Sequence, residues 1–571
     1  MPAATNGHLV PHPYPEVSGS GFLPDGSAKN SFDYIIVGAG CAGSALASRL
    51  STQHPDRSVL LVEAGPNPSY HPLVPQPLVA PMLRGSELDW KYESIPQVHL
   101  AKRPIYEAAG KALGGGSVIN YGLWTRGDVQ DYEQWAKASG SDRWSYDGLL
   151  PYFKRSENHY DPKANEKHFG SGGPIPLVST ESTGRNYPLR GLLVSAWEAA
   201  GVPRIGDPNN GSPLGIGDAV ECRQNLQRVN LSDVYPLDSV QVVTETLVDK
   251  VLIEEVNGNK RASGVQLADG KVLLASREVI LSAGAIHTPK ILMLSGIGPS
   301  GELSRHGIPQ IVDSPSVGRN LFNHMNVKQY WKLRHPEIGA SVGHPEWTNP
   351  AFKGANPLDY IVLHTVQGDG LKAALAGEDP NVTDDHHLLN GERCHVETFV
   401  QYAAISKGDP QINPDGSHIQ TVCLNMLPTS RGTVTLKSWK PKDLPVVDSN
   451  YFATDFDKHV VREGLRKVQQ VFLDTPAGKE MVIEETHPSN AKPISSSSTN
   501  EELDARIQEG AQSTSHPAGT AAMGRVLDAD LKVRGVEGLR VCDASAFPTP
   551  LAGHPMAPLF AMAEQLTEII G

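Results

Sequence analysis

The first clear pattern along the chain is a mostly apolar run at 32–37 that leads into a glycine-rich turn. Such a run is typical of a strand buried on both faces of a parallel sheet. Small and apolar residues follow at helical spacing over 44–50, and a second apolar run occupies 59–62. The pattern predicts a strand–turn–helix–strand unit of about thirty residues.

Later parts of the chain carry further strand and helix signals. Apolar runs at 279–282 and 539–543 predict two more strands, and the apolar face over 559–570 predicts a C-terminal helix. Between 313 and 511 the pattern changes to long polar loops and alternating segments, and a helix is predicted to begin there near Asp457. The chain thus combines a buried parallel-sheet pattern with a region of different texture.

One stretch inside that region, from Ala374 to His395, is polar and acidic, which predicts an insertion at the surface. Its carboxylates and imidazoles fit no ligand spacing of a metal site, and a solvated loop is the expected structure. We therefore predict no metal site; the side chains considered are Asp384, Asp385, His386, His387 and His395.

Composition and charge exclude several classes of protein. The chain has 571 residues and a formal net charge of −13, without the basic face that nucleic-acid binding needs. No uninterrupted apolar run reaches the length of about 18 residues that a membrane span needs. Residues 1–30 are rich in Pro, Gly and Ser and carry no secretory signal, so we expect a flexible arm on an intracellular, cytoplasmic protein.

The glycine-rich turn has the spacing of a dinucleotide-binding unit. It reads Gly38-x-Gly40-x-x-Gly43 after the predicted strand and opens the predicted helix. Gly38 would make the tight turn, Gly40 would let the backbone approach a pyrophosphate, and Gly43 would allow close packing of helix on strand. Glu63 would accept hydrogen bonds from the ribose and disfavour the 2′-phosphate of NADP. The turn alone leaves NAD and FAD both open.

Several further segments resemble one family, the glucose–methanol–choline (GMC) flavoprotein oxidoreductases. Beside the glycine turn, they are the segments 110–127, 282–299, 516–524, 543–548 and 553–558. The resemblance extends over 33–571, and the motifs stand in the family's order. The resemblance favours FAD over NAD.

The resemblance implies an α/β fold. We expect a Rossmann-like FAD-binding domain with a parallel sheet, and an α+β substrate domain with an antiparallel sheet. The FAD-binding domain would be discontinuous, built from 31–125, 215–312 and 511–571. The substrate-binding domain would comprise 126–214 and 313–510.

The resemblance also implies an activity. It is the oxidation of a primary or secondary alcohol on a small organic metabolite, in which a histidine takes the proton and hydride passes to flavin N5. Dioxygen or another acceptor would then reoxidise the flavin. The alternative is a lyase or cyclase of the same family type that retains FAD without net oxidation.

The family's cofactor contacts carry over onto matching positions. Cys41 and Ala42 would offer backbone groups to the pyrophosphate, and Val248 would contact the adenine. Some members attach FAD through a histidine at the position of Ile119, so a noncovalent FAD is expected here. The complete set of expected cofactor residues is Gly38, Gly40, Cys41, Ala42, Gly43, Glu63, Trp90, Gly115, Gly116, Asn120, Tyr121, Gly122, Leu123, Val248, Asp543, Ala544, Pro555 and Met556.

The resemblance singles out two of the 21 histidines. His516 occupies the position of the family's catalytic base, and His554 the second active-site position, where relatives carry His or Asn. An imidazole can take a hydroxyl proton near neutral pH. Because like charges disfavour double protonation of two close rings, we expect one base and one neutral hydrogen-bonding partner.

Overall fold

A computed structural model describes residues 30–159, 165–389 and 393–571. The predicted flexible arm, 1–30, lies outside the described residues except for Asn30. No helix among the described residues is long and apolar enough to cross a membrane.

The β-strands are numbered in chain order. They are β1 (Ser31–Val37), β2 (Val59–Val62), β3 (Tyr92–Glu93), β4 (Tyr106–Glu107), β5 (Glu157–His159), β6 (Ile175–Ser179), β7 (Gly215–Asp218), β8 (Val220–Gln224), β9 (Gln227–Arg228), β10 (Gln241–Val243), β11 (Val248–Val256), β12 (Asn259–Leu267), β13 (Val272–Leu281), β14 (Ile297–Gly298), β15 (Val312–Asp313), β16 (Met325–Leu333), β17 (Tyr360–His364), β18 (Val396–Gln401), β19 (His418–Asn425), β20 (Thr433–Thr435), β21 (Val446–Asp448), β22 (Val482–Glu485), β23 (Gln512–Ser513) and β24 (Leu539–Val541).

The α-helices follow the same convention. They are α1 (Cys41–Gln53), α2 (Gly116–Ile119), α3 (Val129–Ser139), α4 (Tyr146–Ser156), α5 (Arg190–Ala199), α6 (Gly284–Leu294), α7 (Ser300–Arg305), α8 (Pro350–Lys353), α9 (Asp369–Ala376), α10 (Asp455–Gln469), α11 (Pro476–Met481), α12 (Asn500–Gly510) and α13 (Met556–Ile570).

The first large sheet has the strand order β10–β2–β1–β13–β12–β11, with β24 also paired to β13. Strands β10, β2, β1, β13 and β24 run parallel, and β11 and β12 extend this sheet by antiparallel pairing. The middle strands are buried on both faces over most of their length because α1 and other elements cover them, which explains their apolar runs at 34–37, 59–62 and 279–281. The predicted Rossmann-like parallel sheet is confirmed.

The second large sheet is antiparallel throughout, in the order β22–β16–β19–β18–β17–β7, with β23 paired to β16. Helix α10 packs against β19. It begins at Asp455, close to the predicted start, because the Thr454 hydroxyl caps its first turn. The predicted α/β fold class with a parallel and an antiparallel sheet is confirmed.

The predicted division into two discontinuous domains stays a proposal, and the packing refines its borders. Helices α3 and α4, inside the segment 126–214, share the apolar core of the parallel sheet, where Trp135 and Phe153 are fully buried. Strands β7 and β23 belong by pairing to the antiparallel sheet. We therefore propose to assign α3 and α4 to the FAD-binding unit and β7 and β23 to the substrate unit.

The prediction of a surface insertion from Ala374 to His395 is wrong at its C-terminal end. His395 is only 2% exposed, and its Nε2 lies 2.8 Å from the Leu388 carbonyl oxygen. The sequence leads there directly into β18, so its last residues are drawn into the apolar core around Cys394. No group of three or more His, Cys, Asp and Glu within the described ranges could hold a metal ion.

Candidate active site

One long cavity extends from the glycine-rich turn after β1 to the antiparallel sheet. Every predicted site residue except Gly43 lines it. Gly43 instead packs against the turn, where a Cβ atom would lie 2.0 Å from the Gly38 carbonyl oxygen. The structure therefore brings together residues that are up to about five hundred positions apart in the sequence.

The glycine turn needs its glycines for two different reasons. Gly38 has φ +100, and a Cβ there would lie 2.3 Å from the Ser282 carbonyl oxygen. Gly40 precedes α1 without a side-chain cap, so the first N–H groups of that helix stay available toward the cavity. A helix N-terminus of this kind attracts the negative charge of a phosphate.

A second glycine segment faces the first across a narrow gap. Gly115 has φ +52, and a Cβ on it would lie only 2.6 Å from the Gly40 Cα. A Cβ on Gly116, by contrast, would meet no atom within 4 Å, because this residue borders open cavity space. The two segments thus form a cradle of bare backbone that is shaped to receive a flat or extended group.

Glu63 ends the second strand of the unit and is buried at the cavity wall. Its Oε2 accepts a hydrogen bond from Ala39 N at 2.9 Å, and Oε1 accepts one from Gly65 N at 2.8 Å. Burial raises the pKa of this carboxyl to about 7. Each oxygen keeps a second lone pair, which suits the predicted ribose contact.

Asp543 fixes the opposite wall of the cradle. Its Oδ2 accepts hydrogen bonds from Gly284 N at 2.9 Å and Thr288 Oγ1 at 2.6 Å, and Oδ1 accepts one from Ser545 N. These bonds join the loop after β24 to the start of α6, and Ala544 and Val248 line the cavity nearby. The carboxylate acts here as a brace for the backbone.

An aromatic cluster closes the same end of the cavity. The rings of Trp90 and His287 lie 4.1 Å apart, and the Tyr92 hydroxyl is hydrogen-bonded to His287 Nδ1. Burial keeps the pKa of His287 well below its usual range. Sequence analysis missed His287, although it lies inside the 282–299 segment, because nothing in that segment distinguishes a cavity residue from a packed one.

The segment after α2 continues the cavity wall with Tyr121, Gly122 and Leu123. Asn120 Oδ1 accepts a hydrogen bond from Gly122 N at 3.0 Å, and its Nδ2 lies 3.3 Å from Met556 Sδ. Pro555 and Met556 stand at the start of α13, also on the wall. The contact between Asn120 and Met556 thus ties the second glycine segment to the C-terminal motif.

His516 and His554 meet at the other end of the cavity, with ring centroids 4.8 Å apart. His516 Nδ1 lies 3.0 Å from Nδ1 of a third histidine, His324. His554 Nε2 lies 2.8 Å from Oε1 of the fully buried Glu397. Each of the two predicted histidines therefore has one ring nitrogen engaged by a buried neighbour.

The electrostatic surroundings keep His516 neutral. Burial, together with the nearby His554, His324 and Arg84, holds the pKa of His516 well below its usual range. Burial and the nearby His554 lower the pKa of His324 to about 3. An unprotonated imidazole can accept a proton, which is the property a general base needs.

A buried polar network holds the backbone of His516. Its N–H donates to Asn323 Oδ1 at 2.8 Å, and the Asn323 amide donates to Glu107 Oε2 at 2.9 Å. Burial raises the pKa of Glu107 to about 7. The preceding Ser515 has φ +63, a left-handed conformation that this network must stabilise.

Sequence analysis missed His324, Glu397 and Glu107. No local motif separates His324 from the other histidines, and Glu397 and Glu107 lie in short strands with ordinary alternation. Only the pairing of β16 with β19 and β23, and of β18 with β19, brings His324 and Glu397 to the two predicted histidines. Glu107 reaches the same place through its contact with Ser513 on β23.

The chain is similar to known proteins over most of its length. Residues 32–326 and 428–563 match two family models, both described as "GMC oxidoreductase". The "GMC-type oxidoreductase acuG" of Aspergillus aculeatus is 38% identical over 542 residues, covering 95% of this chain and 99% of the relative. The "Oxygen-dependent choline dehydrogenase" of Burkholderia lata is 33% identical, covering 94% and 93%. A crystal structure of formate oxidase has a TM-score of 0.84 and 30% identity, covering 95% and 98%.

Proposed function

Because the chain belongs to the GMC oxidoreductase family, and so is an FAD-dependent oxidoreductase acting on CH–OH groups, we propose a finer assignment. The substrate is a small organic metabolite, and its primary or secondary alcohol is converted to the carbonyl. The observation that carries this proposal is the neutral, buried His516 at the end of a cavity whose other end is a dinucleotide cradle.

The cradle fits FAD. The open N-terminus of α1 and the bare backbone of Gly40, Gly115 and Gly116 suit the pyrophosphate and a flat ring, and Glu63 suits the ribose. When bound, FAD supplies the two-electron acceptor for the alcohol. Ile119 offers no nucleophile, which supports a noncovalent attachment.

The contact with His324 supports one tautomer of His516. Burial and the nearby His554 lower the pKa of His324, so its ring is neutral, and we take its Nδ1 as the acceptor in this contact. His516 Nδ1–H then donates to His324 Nδ1 at 3.0 Å. The lone pair of His516 is therefore on Nε2, where we place the acceptor for the hydroxyl proton.

We propose that His554 assists His516 by holding the substrate oxygen. Its Nε2–H donates to the Glu397 carboxylate, which fixes the orientation of the ring. Its backbone N–H donates to Thr125 Oγ1 at 2.6 Å, which fixes the loop before α13. We place His554 as the second hydrogen-bonding group for the substrate oxygen, beside the base rather than in its place.

Anaerobic mixing with a panel of alcohols tests this function. We expect loss of the visible FAD absorbance with at least one alcohol, and one equivalent of carbonyl product per flavin. Admission of dioxygen or another acceptor should then restore the absorbance. Turnover of a substrate with no net oxidation and no loss of absorbance would replace the proposal by the lyase or cyclase alternative.

The mode of attachment needs a separate measurement. Because Ile119 cannot form the bond, acid precipitation should release all of the FAD into the supernatant. Yellow colour that stays with the protein pellet would show that the noncovalent assignment is wrong.

A further inference from the structure

The end of the cavity that lies farthest from the glycine turn is a floor of β-sheet. Lys328 on β16, Val422 on β19 and Phe399 on β18 are cross-strand neighbours and line the cavity together. Asn326, two residues before Lys328, lines it as well. Since side chains alternate along a strand, Asn326 and Lys328 point from the same face into the cavity.

Two cations at this floor have no acidic partner among the described residues. Among the residues that the structure describes, no carboxylate pairs with the Lys328 ammonium or with the Arg84 guanidinium, which also lines the cavity. Arg84 lies over the Tyr121 ring at 5.6 Å. The two cations are close enough that Arg84, together with burial, lowers the pKa of Lys328 to about 8.

The acidic residues of the cavity wall lie elsewhere. Glu63 and Asp543 belong to the cradle, and their oxygens accept hydrogen bonds from backbone N–H groups there. Glu397 lies on β18 two residues before Phe399, but its carboxylate contacts His554 and it does not line the cavity. The lining residues of the floor therefore include two cations and no acid. Placing an ammonium out of water without a partner costs free energy, and a bound anion would recover it.

We propose that the substrate is an alcohol that carries a carboxylate, and that this carboxylate binds between Lys328 and Arg84 while the hydroxyl faces His516. The inference rests on the proposed alcohol oxidation and specifies its substrate class. The planar fork of Arg84 suits a carboxylate, and the point charge of Lys328 adds to it.

The strand geometry limits the length of that substrate. His324, which contacts His516, immediately precedes β16, and Lys328 lies three residues beyond the first residue of that strand. At about 3.3 Å per residue, this places Lys328 about 10 Å along the strand from its start. The carboxylate is thus several bonds away from the oxidised carbon, as in 4-(hydroxymethyl)benzoate and unlike a 2-hydroxy acid.

The first test measures binding to the holoenzyme without turnover. Benzoate, benzamide and phenyltrimethylammonium, none of which is an alcohol, are titrated while the visible difference spectrum of the bound FAD is recorded. Benzoate should bind about tenfold or more tightly than benzamide, the effect of a charge-assisted hydrogen bond. Phenyltrimethylammonium should bind most weakly, because the floor repels its cation.

Matched variants locate the effect. Lys328→Met should weaken the affinity for benzoate about tenfold and leave the affinity for benzamide unchanged. Lys332→Met removes a charge from the same strand at an exposed position outside the cavity wall, and should change neither. Equal affinities of benzoate and benzamide, or a Lys328→Met protein that binds benzoate like the wild type, would overturn the proposal.

The second test separates the carboxylate site from the oxidation chemistry. Under anaerobic conditions 4-(hydroxymethyl)benzoate should reduce the flavin at lower concentration than 4-(hydroxymethyl)benzamide, and Lys328→Met should abolish this preference. If the acid binds more tightly than the amide yet neither reduces the flavin, the carboxylate site is supported and the oxidation of this alcohol is not. If the amide is preferred in both readouts, the carboxylate site is wrong.

Discussion

The two ends of the cavity are built in different ways. At the cradle, the absence of a side chain is what matters at the glycines of the turn, since a Cβ on Gly38 or Gly43 would collide with backbone. At the other end, which we call the base end, ring nitrogens of His516 and His554 contact buried neighbours, and we propose that the two rings act on the substrate there. Backbone atoms form the cradle, whereas imidazole and carboxylate side chains form the base end.

This difference predicts two separable kinds of defect. A substitution at the cradle should change how much FAD the protein holds, because space for the cofactor is lost. A substitution at the base end should change the rate of flavin reduction, because proton transfer is lost while the cradle is untouched. Each variant below tests whether the two effects stay apart.

The largest effect is expected for His516→Ala. Removal of a positioned general base should lower the rate of anaerobic flavin reduction by ~10²–10⁴-fold. FAD content should stay at the wild-type level, because the ring faces the substrate end. Stopped-flow absorbance gives the rate, and the ratio of visible to ultraviolet absorbance gives the FAD content.

His335→Ala is the matched control for that variant. His335 is half-exposed beside Glu337 and does not line the cavity, so both readouts should match the wild type. A His516→Ala protein that reduces its flavin as fast as this control would remove His516 from the mechanism.

Gly115→Ala should produce the opposite defect. The alanine would have to keep φ +52, and its Cβ would lie 2.6 Å from the Gly40 Cα, so the cradle must distort. We expect most of the FAD to be lost during purification, while the molecules that retain it react at nearly the normal rate. Gly368→Ala also places alanine outside the left-handed helical region, at φ +104 and ψ 170, but with open space around it and away from the cavity wall, and should keep its FAD. Equal FAD content in the two variants would contradict the steric account.

The sequence predicted the cradle more completely than the base end. The turn from Gly38 to Gly43 and the acid at Glu63 lie within one strand–turn–helix–strand unit, whose backbone geometry local spacing determines. The fold class was likewise predictable, because β1 is a mostly apolar run and β2 an unbroken one, and the order of the family motifs indicated the remaining segments.

The base end was predictable only where the family resemblance supplied a residue. His324, Glu397 and Lys328 lie in or beside strands whose register alone brings them to the cavity. Long-range pairing of this kind leaves no local signature, since each strand shows ordinary alternation. For the same reason His395 could not be distinguished from the solvated loop before it.

A smaller effect is expected for His554→Asn. An asparagine amide can still hydrogen-bond a substrate oxygen, but it loses the Glu397 contact that orients the ring. The reduction rate should fall about tenfold, the scale of one displaced hydrogen bond. FAD content measured on the same sample should not change. A loss as large as that of His516→Ala would contradict a purely hydrogen-bonding part for His554 and would indicate that it shares in the proton transfer.

The smallest change is expected from pH. Because the pKa of His516 is lowered, its lone pair is already free, and the reduction rate should be flat between about pH 6 and pH 8 and fall only in more acidic solution. Affinity for a carboxylate should instead weaken above about pH 8, as Lys328 loses its proton. Stopped-flow reduction at several substrate concentrations over a pH series gives both the limiting reduction rate and the apparent affinity for the carboxylate. A rate that climbs steeply through pH 6 to 7 would contradict the neutral state of His516.

The central claim is that C–H cleavage of an alcohol and reduction of the flavin are one event in this cavity. Anaerobic stopped-flow reduction with an alcohol, and with the same alcohol deuterated at the carbinol carbon, tests it most directly. The account predicts complete loss of the FAD absorbance with both, and a slower loss with the deuterated alcohol. Turnover of a substrate that leaves the FAD absorbance unchanged would contradict it.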